Sequence, residues 1–227
     1  MIVAEKKPIE EIIAEISGYS KILILGCNEC VTVCEAGGKK EVGVLASALR
    51  MHFVNEGKEV KIDERTLERQ CDHEYLDEIR DIVDQYDAIV SLACGVGVQF
   101  AAEKYQSTPL LPGVNTCFLG VTEERGLWTE RCQACGKCML ASTGGICPVS
   151  RCAKRILNGP CGGSTKGKCE INPELECAWQ LIIDRLKALG RLDDYEKIQA
   201  GKNSKGRSHS GYIGSGSSAR KRSGCHH

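Results

Sequence analysis

The sequence lacks a membrane-spanning or export segment. Its first residues, Met1 to Lys7, contain no apolar run of signal-peptide length, and no later stretch is long and apolar enough to cross a bilayer. We therefore expect a cytoplasmic protein without a membrane span. Disulfides are rare in the cytoplasm, so closely spaced cysteines are expected to hold metal.

An excess of charge of one sign is also missing. The chain has 30 Lys and Arg residues and 30 Asp and Glu residues, so its formal net charge at pH 7 is zero. A balanced chain has no overall field that would attract nucleic acid. We therefore expect no nucleic-acid partner, and a DNA-binding zinc module is the last of our interpretations.

Complete catalytic motifs are absent as well. The chain shows no Ser-His-Asp set, no Walker loop and no pair of carboxylates with the pattern of acid–base catalysis. The segment Cys94 to Gln99 has only half of a dinucleotide-binding loop, and a sharp turn beside Cys94 explains its two glycines. We assign no catalytic residue and leave residues that bind an organic cofactor unassigned.

Cysteine is the residue that the chain has in excess. Fifteen Cys accompany three Phe, two Trp and six Tyr. Cys132, Cys135 and Cys138 form a C-x2-C-x2-C run, the spacing with which bacterial ferredoxins hold a [4Fe-4S] cluster. Zinc sites more often take their ligands as two separated pairs. This cysteine run therefore predicts an iron–sulfur cluster.

The partition of the remaining ligands stays open from the sequence. The gap from Cys138 to Cys147-Pro148 is longer than in ferredoxins, and no second run of this kind follows. One centre can be completed by the run plus a later Cys, and a second by four of five later thiols. These five are Cys147, Cys152, Cys161, Cys169 and Cys177. Zinc in the second centre is an alternative to iron and sulfide.

Helical and strand patterns alternate over the first 120 residues. Helical spacing of apolar residues alternates with short apolar runs of the kind that buried strands have. The segments are 8–17 (helix), 21–26 (strand), 41–56 (helix), 59–62 (strand), 76–86 (helix) and 87–92 (strand). This order predicts an α/β fold with a doubly wound parallel sheet, Rossmann- or flavodoxin-like, over residues 1–122.

A second, smaller domain is expected after the α/β domain. Residues 123–195 would form a small cysteine-rich iron–sulfur domain with a C-terminal helix. That helix is predicted to start at Asn172 as N-cap, to carry Cys177 in its first turn and to stop at Gly190. Residues 196–227 are rich in Gly, Ser and basic residues and are expected to be a disordered tail without an assigned role.

Cysteines also follow the predicted strands of the first domain. The carboxyl ends of parallel strands meet at one edge of a sheet, where ligands are bound in such folds. Five cysteines are placed to reach this edge: Cys27, Cys30, Cys34, Cys71 and Cys94. We expect four of them to hold a third metal centre and either Cys34 or Cys71 to be the spare. Cys117 lies in an apolar stretch and is expected to be a buried, inert thiol.

Several segments of the second half resemble one known family. They are Arg131 to Cys138, Thr143 to Pro148, Arg151 to Lys154, Asn158 to Gly163 and Gly167 to Glu170. Together with Gly26 to Cys30 and Ser91 to Gly97, they are similar to the cysteine-rich methylenetetrahydrofolate reductase C-terminal domain family.

The resemblance implies a partner and a role. It implies a MetF-like flavoprotein, a TIM barrel with FMN or FAD that reduces methylenetetrahydrofolate in the Wood-Ljungdahl pathway, and it leaves room for further electron-donating subunits. A chain of 227 residues with the domains above has no room for such a barrel. The expected role is therefore a non-catalytic electron-transfer subunit with two or three [4Fe-4S] clusters. A zinc-thiolate structural adaptor without redox function is the alternative.

Overall fold

The structure is a computed structural model that describes residues 1–199. Cys225 and most of the tail predicted over residues 196–227 lie outside the described residues. The chain divides into two compact units, Met1–Gln133 and a second that begins at Ala134. In the part of the chain that is described, no helix is long and apolar enough to cross a membrane.

A four-stranded parallel sheet is the centre of the first unit. Its strands are β2 (Lys21–Cys27), β3 (Lys61–Leu67), β4 (Ala88–Ser91) and β5 (Leu110–Pro112), in the order β3-β2-β4-β5. β2 is buried from Ile22 onwards, as its continuous apolar sequence predicts. The predicted α/β fold with a parallel sheet is therefore confirmed.

Both faces of the sheet carry an apolar cluster. Ile22 and Ile24 of β2 pack into one cluster, while Leu23 and Leu25 pack into the other, because successive side chains of a strand point to opposite faces. The helices of this unit are α1 (Ile9–Ile16), α2 (Cys30–Val33), α3 (Lys39–Asn55), α4 (His73–Leu76) and α5 (Gly95–Lys104). Residues of α1 and α3 belong to the first cluster, and residues of α4 and α5 belong to the second.

The helix predicted over residues 76–86 is wrong in its length. The structure has only α4 there, followed by two short 3₁₀ turns at Asp77–Ile79 and Val83–Gln85. Asp, Ile and Val have low helix propensity and dominate this stretch. Leu76, Ile79 and Val83 are nevertheless buried, so the apolar spacing reports packing against the sheet rather than a continuous helix.

A three-stranded antiparallel sheet was not predicted. It contains β1 (Ile2–Lys6), β6 (Val114–Glu124) and β7 (Leu127–Cys132), in the order β1-β6-β7. Gly126 has a φ of +86° in the turn between β6 and β7, a conformation that favours glycine. Cys117 lies on β6 and is exposed, so the expectation that it is buried is wrong. β6 leaves most of its side chains in solvent, although its segment around Cys117 is apolar.

Residues 134–199, the part of the second unit that the structure describes, have little regular structure. Its helices are α6 (Pro148–Arg151) and α7 (Ala178–Ala188), and its small apolar cluster is built on Trp179, Ile182 and Leu186. α7 starts six residues after the predicted N-cap, with Cys177 in that position instead. The backbone N–H of Cys177 donates to the carbonyl oxygen of Gly167 (2.7 Å), and this bond ties the preceding residues to another segment.

Candidate metal centres

Four thiols of the first unit lie where strands of the parallel sheet end. Cys27 is the last residue of β2, Cys30 is the first of α2, Cys71 follows β3, and Cys94 is the N-cap of α5 after β4. We call Cys27, Cys30, Cys71 and Cys94 the sheet-edge thiols. β2 and β4 are neighbours in the sheet, and the chain leaves them towards opposite faces of the sheet. Folds of this kind bind ligands at the strand ends where the chain diverges in this way.

The sheet-edge thiols are close enough for their charges to interact. Burial raises the pKa of the Cys27 thiol, and negative charge on Cys94 and Cys71 raises it further. Burial also raises the pKa of Cys71, with added contributions from Cys94 and Cys30. The Cys27 and Cys71 thiols therefore favour the protonated form when no cation is present. A bound cation reverses this preference because it displaces the protons and stabilises the thiolates.

Cys34 has different surroundings from the sheet-edge thiols. It is buried in the first apolar cluster, with 5% of its surface exposed. Its Sγ accepts a hydrogen bond from the backbone N–H of Ala4 in β1 (3.4 Å) and contacts the carbonyl oxygen of Val31 (3.6 Å). These contacts attach the Cys34 sulfur to the antiparallel sheet.

Close backbone packing brings the sheet-edge segments together. A Cβ added at Gly97 would lie 2.9 Å from Cβ of Ala93 and 3.0 Å from Cβ of Gln70. The N-terminus of α5 begins at Cys94, and the dipole of this helix favours negative charge there. Gly97 therefore serves close packing, whereas a Cβ at Gly95 would have only ordinary contacts.

Two buried polar residues that lie close to the sheet-edge thiols in sequence were not predicted. Gln70 and Ser91 are both fully buried, and the Ser91 hydroxyl donates to Oε1 of Gln70 (2.7 Å). A single polar residue before a cysteine or at the end of an apolar strand carries no recognisable pattern. Only the fold places these two side chains in contact.

Four thiols of the second unit surround one small cavity. The cavity has a volume of about 20 Å³. The cysteines that line it are Cys152, Cys161, Cys169 and Cys177, which we call the C-terminal thiols. Trp179 lines the same cavity and donates its indole N–H to the carbonyl oxygen of Ile156 (3.2 Å). Cys147, the fifth candidate of this region, is the N-cap of α6.

Helix ends and tight turns position the C-terminal thiols. Cys152 is the C-cap of α6 and Cys177 the N-cap of α7. The turn before Cys169 has positive φ at Lys166 (+51°) and Gly167 (+79°). Glu170 pairs with Lys154, and its Oε1 accepts from the Cys161 thiol (3.7 Å). The cavity therefore has two cationic side chains, Arg151 and Lys154, and one carboxylate beside its thiols.

The cysteine run lies where the two units meet in sequence. Cys132 is the last residue of β7, and the boundary between the units falls between Gln133 and Ala134. Ala134 and Gly136 have φ values of +48° and +81°, so the backbone turns tightly between the thiols.

The donor chemistry of both thiol sets fits soft metal ions. Sulfur ligands select zinc and iron–sulfur iron over magnesium or calcium. Within residues 1–199, no group of three or more His, Cys, Asp or Glu side chains is already arranged to hold a metal ion. The two sets are therefore neighbourhoods of thiols, and the metal sites remain predictions.

The segment that contains the C-terminal thiols and the cysteine run has known relatives. Residues 111–205 match a family described as "Methylene-tetrahydrofolate reductase C terminal". This is the family that the cysteine segments resemble. The match covers less than half of the chain, so it describes this segment and not the parallel sheet or an individual subunit. No curated protein matches the chain.

Proposed function

We propose that the chain is the iron–sulfur electron-transfer subunit of a cytoplasmic methylenetetrahydrofolate reductase complex. It would correspond to MetV of acetogenic bacteria and serve a MetF-like flavoprotein in the Wood-Ljungdahl pathway. The observation that carries the proposal is the occurrence of two thiol quartets in a chain whose segment 111–205 matches the reductase family. Bound [4Fe-4S] clusters would supply storage and transfer of single electrons.

The ligand partition that we propose follows the two quartets. Cys27, Cys30, Cys71 and Cys94 would hold one centre, since all four lie where strands of the parallel sheet end, and Cys34, whose sulfur contacts the backbone of β1, would be the spare. Cys152, Cys161, Cys169 and Cys177 would hold a second around their cavity. The cysteine run, with Cys147 as fourth ligand, is proposed for a third on its sequence spacing.

The chain's own residues would control how the clusters behave. Cys27 and Cys94 are buried, which limits water at the sulfur atoms of the first centre. The N-terminus of α5 adds positive potential beside Cys94. Burial and hydrogen bonding around thiolates both shift the reduction potential of a cluster. These features suit a centre that exchanges electrons and does not bind folate.

Electron transfer to a flavin tests the proposal. The anaerobically purified chain, reduced with dithionite, should bleach the flavin of a MetF-like subunit and support methylenetetrahydrofolate reduction. Cys135→Ser in the cysteine run should slow the transfer without preventing assembly. Cys117→Ser is the matched control because Cys117 is exposed on β6 outside both quartets. Folate reduction by the chain alone, or full activity of Cys135→Ser, would show that the assignment is wrong.

A zinc-thiolate structural adaptor is the second candidate function. The observation in its favour is the size of the C-terminal cavity, because about 20 Å³ is room for one small ion or water. Zinc thiolates are colourless, whereas iron–sulfur clusters absorb broadly in the visible range. Iron, zinc and acid-labile sulfide analysis of the anaerobically purified protein separates the two candidates.

A further inference from the structure

One buried side chain joins the three chain segments that carry most of the sheet-edge thiols. Nε2 of Gln70 donates to the carbonyl oxygens of Leu25 (2.9 Å) and Gly26 (3.0 Å) at the end of β2. Oε1 of Gln70 accepts from the hydroxyl of Ser91 at the end of β4 (2.7 Å). Ser91 Oγ in turn accepts from the backbone N–H of Ala93 (3.2 Å). Every polar atom of the Gln70 amide therefore has a partner.

Each segment in this network leads directly into a thiol. Gly26 precedes Cys27, Gln70 precedes Cys71, and Ala93 precedes Cys94. Consecutive Cα atoms are about 3.8 Å apart across a trans peptide bond, so fixing one residue closely restricts the next. The network thus sets the relative positions of three thiols through the backbone.

The orientation of the Gln70 amide is fixed by its partners. Two of these partners are carbonyl oxygens, which can only accept, so the NH₂ group must face them and the oxygen must face Ser91. A buried polar side chain is costly unless it is fully hydrogen-bonded, and an apolar residue would fill the same volume without that requirement. A role beyond filling space is consistent with a Gln at this position.

We propose that Gln70 and Ser91 are positioning residues that fix the backbone next to Cys27, Cys71 and Cys94, so that these three thiols can converge on a bound metal centre. The inference rests on the proposed metal centre at the sheet edge. Gln70 and Ser91 act through backbone atoms and do not themselves bind the metal. Outer-shell contacts of this kind typically change metal affinity by about 10- to 100-fold.

Ser91→Ala in the full-length protein is the main test. It removes one hydroxyl and leaves Oε1 of Gln70 without its donor. The electron paramagnetic resonance signal to follow is the one that Cys94→Ala abolishes. In Ser91→Ala we expect this signal to change in shape and its midpoint potential to shift. We also expect iron retention against a ferrous chelator to fall by about tenfold or more.

Tyr105→Phe is the matched control for a lost buried hydrogen bond. The Tyr105 hydroxyl donates to the carbonyl oxygen of Leu76 in the second apolar cluster, and it is not one of the groups in the hydrogen-bond network of Gln70 and Ser91. Its loss should lower the unfolding temperature and leave the signal and its potential unchanged. An equal change of the signal in Tyr105→Phe would show that the effect of Ser91→Ala comes from a lower overall stability. That result would overturn the proposal.

Gln70→Glu is a second variant with nearly the same shape. It replaces the two N–H donors by an oxygen that faces two carbonyl oxygens, so a larger change than in Ser91→Ala is expected. If Gln70→Glu does not fold, Ser91→Ala decides. A wild-type signal, potential and iron retention in Ser91→Ala would overturn the positioning role and leave the metal centre intact. If Cys94→Ala removes neither iron nor a signal, the metal centre itself is wrong.

Discussion

Cys34 and Cys94 are both buried thiols, but their sulfur atoms have different neighbours. Cys34 is attached to the backbone of β1, whereas Cys94 affects the pKa of Cys27 and Cys71. We predict that Cys34→Ala keeps the full iron content and that Cys94→Ala loses about four iron atoms per chain, the content of one cluster. Cys34→Ala should destabilise the protein by about 1 kcal/mol, as is usual for a small change in a core. Iron analysis and thermal unfolding test both variants, and iron loss in Cys34→Ala would contradict the ligand partition.

The raised pKa of Cys27 gives a pH dependence to the metal-free protein. Burial is the main cause of the raised pKa, and negative charge on Cys94 and Cys71 raises the pKa further. A thiol whose pKa is raised on folding stabilises the fold while it is protonated, and this contribution is lost as pH rises through the folded-state pKa. We predict that the unfolding free energy of the metal-free protein falls above about pH 8.5, the ordinary thiol pKa, and less steeply in Cys27→Ala. Denaturant unfolding at several pH values measures the difference, and identical slopes would argue against it.

At the scale of elements, α5 contains two glycines with different amounts of space. A Cβ at Gly97 would meet two side-chain carbons at about 3 Å, while a Cβ at Gly95 would have only ordinary contacts from 3.6 Å. We predict that Gly97→Ala destabilises the protein by about 1–3 kcal/mol through overpacking. Gly95→Ala should be neutral or mildly stabilising, because Ala is the better helix former. Denaturant unfolding of both variants tests this. Equal stabilities would show that the contact between α5 and Gln70 relaxes to accommodate the added methyl group.

The elements that the sequence predicts well are those with a continuous local pattern. α1 and β2 appear within about a residue of their predicted bounds, because an apolar helical stripe and an apolar strand are each complete in a short segment. The antiparallel sheet escaped prediction because Ile2 pairs with Leu119, over a hundred residues away, and β6 has no clear alternation of buried and exposed residues. The start of α7 escaped because Asn172 caps a local turn, accepting from the N–H of Glu174 (3.0 Å), and not a helix.

The thiols that are candidate ligands can be recognised in the sequence, but the residues that support them cannot. Thiols at strand ends and in close spacing are visible in the sequence, whereas the sequence leaves the spare thiol open between Cys34 and Cys71. Chain reversals at residues such as Lys166 and Gly167 determine which thiols lie close together in space. The left-handed conformation of these two residues is known only from the fold. The contact between Gln70 and Ser91 joins residues 21 positions apart. The order of the strands in the sheet brings these two residues together, and no local sequence pattern specifies that order.

At the scale of the whole molecule, the two quartets belong to different compact units. The sheet-edge thiols lie within Met1–Gln133, and the C-terminal thiols all follow Ala134. No cysteine is shared between the two quartets, so loss of one centre should leave the other in place. If both quartets bind metal, this separation predicts two independent sites and not one site that requires the entire cysteine set.

We predict that Cys94→Ala and Cys161→Ala each remove the metal of one quartet only and that their effects add. If both quartets hold clusters, each variant loses about four iron atoms and the double variant loses about eight. If the C-terminal quartet holds zinc, Cys161→Ala loses one zinc and no iron, which is the outcome that its small cavity favours. Metal analysis of the two single variants and the double variant measures this. Loss of all metal from either single variant would mean that the quartets are not independent, because a ligand removed from one unit would then have disrupted the site in the other.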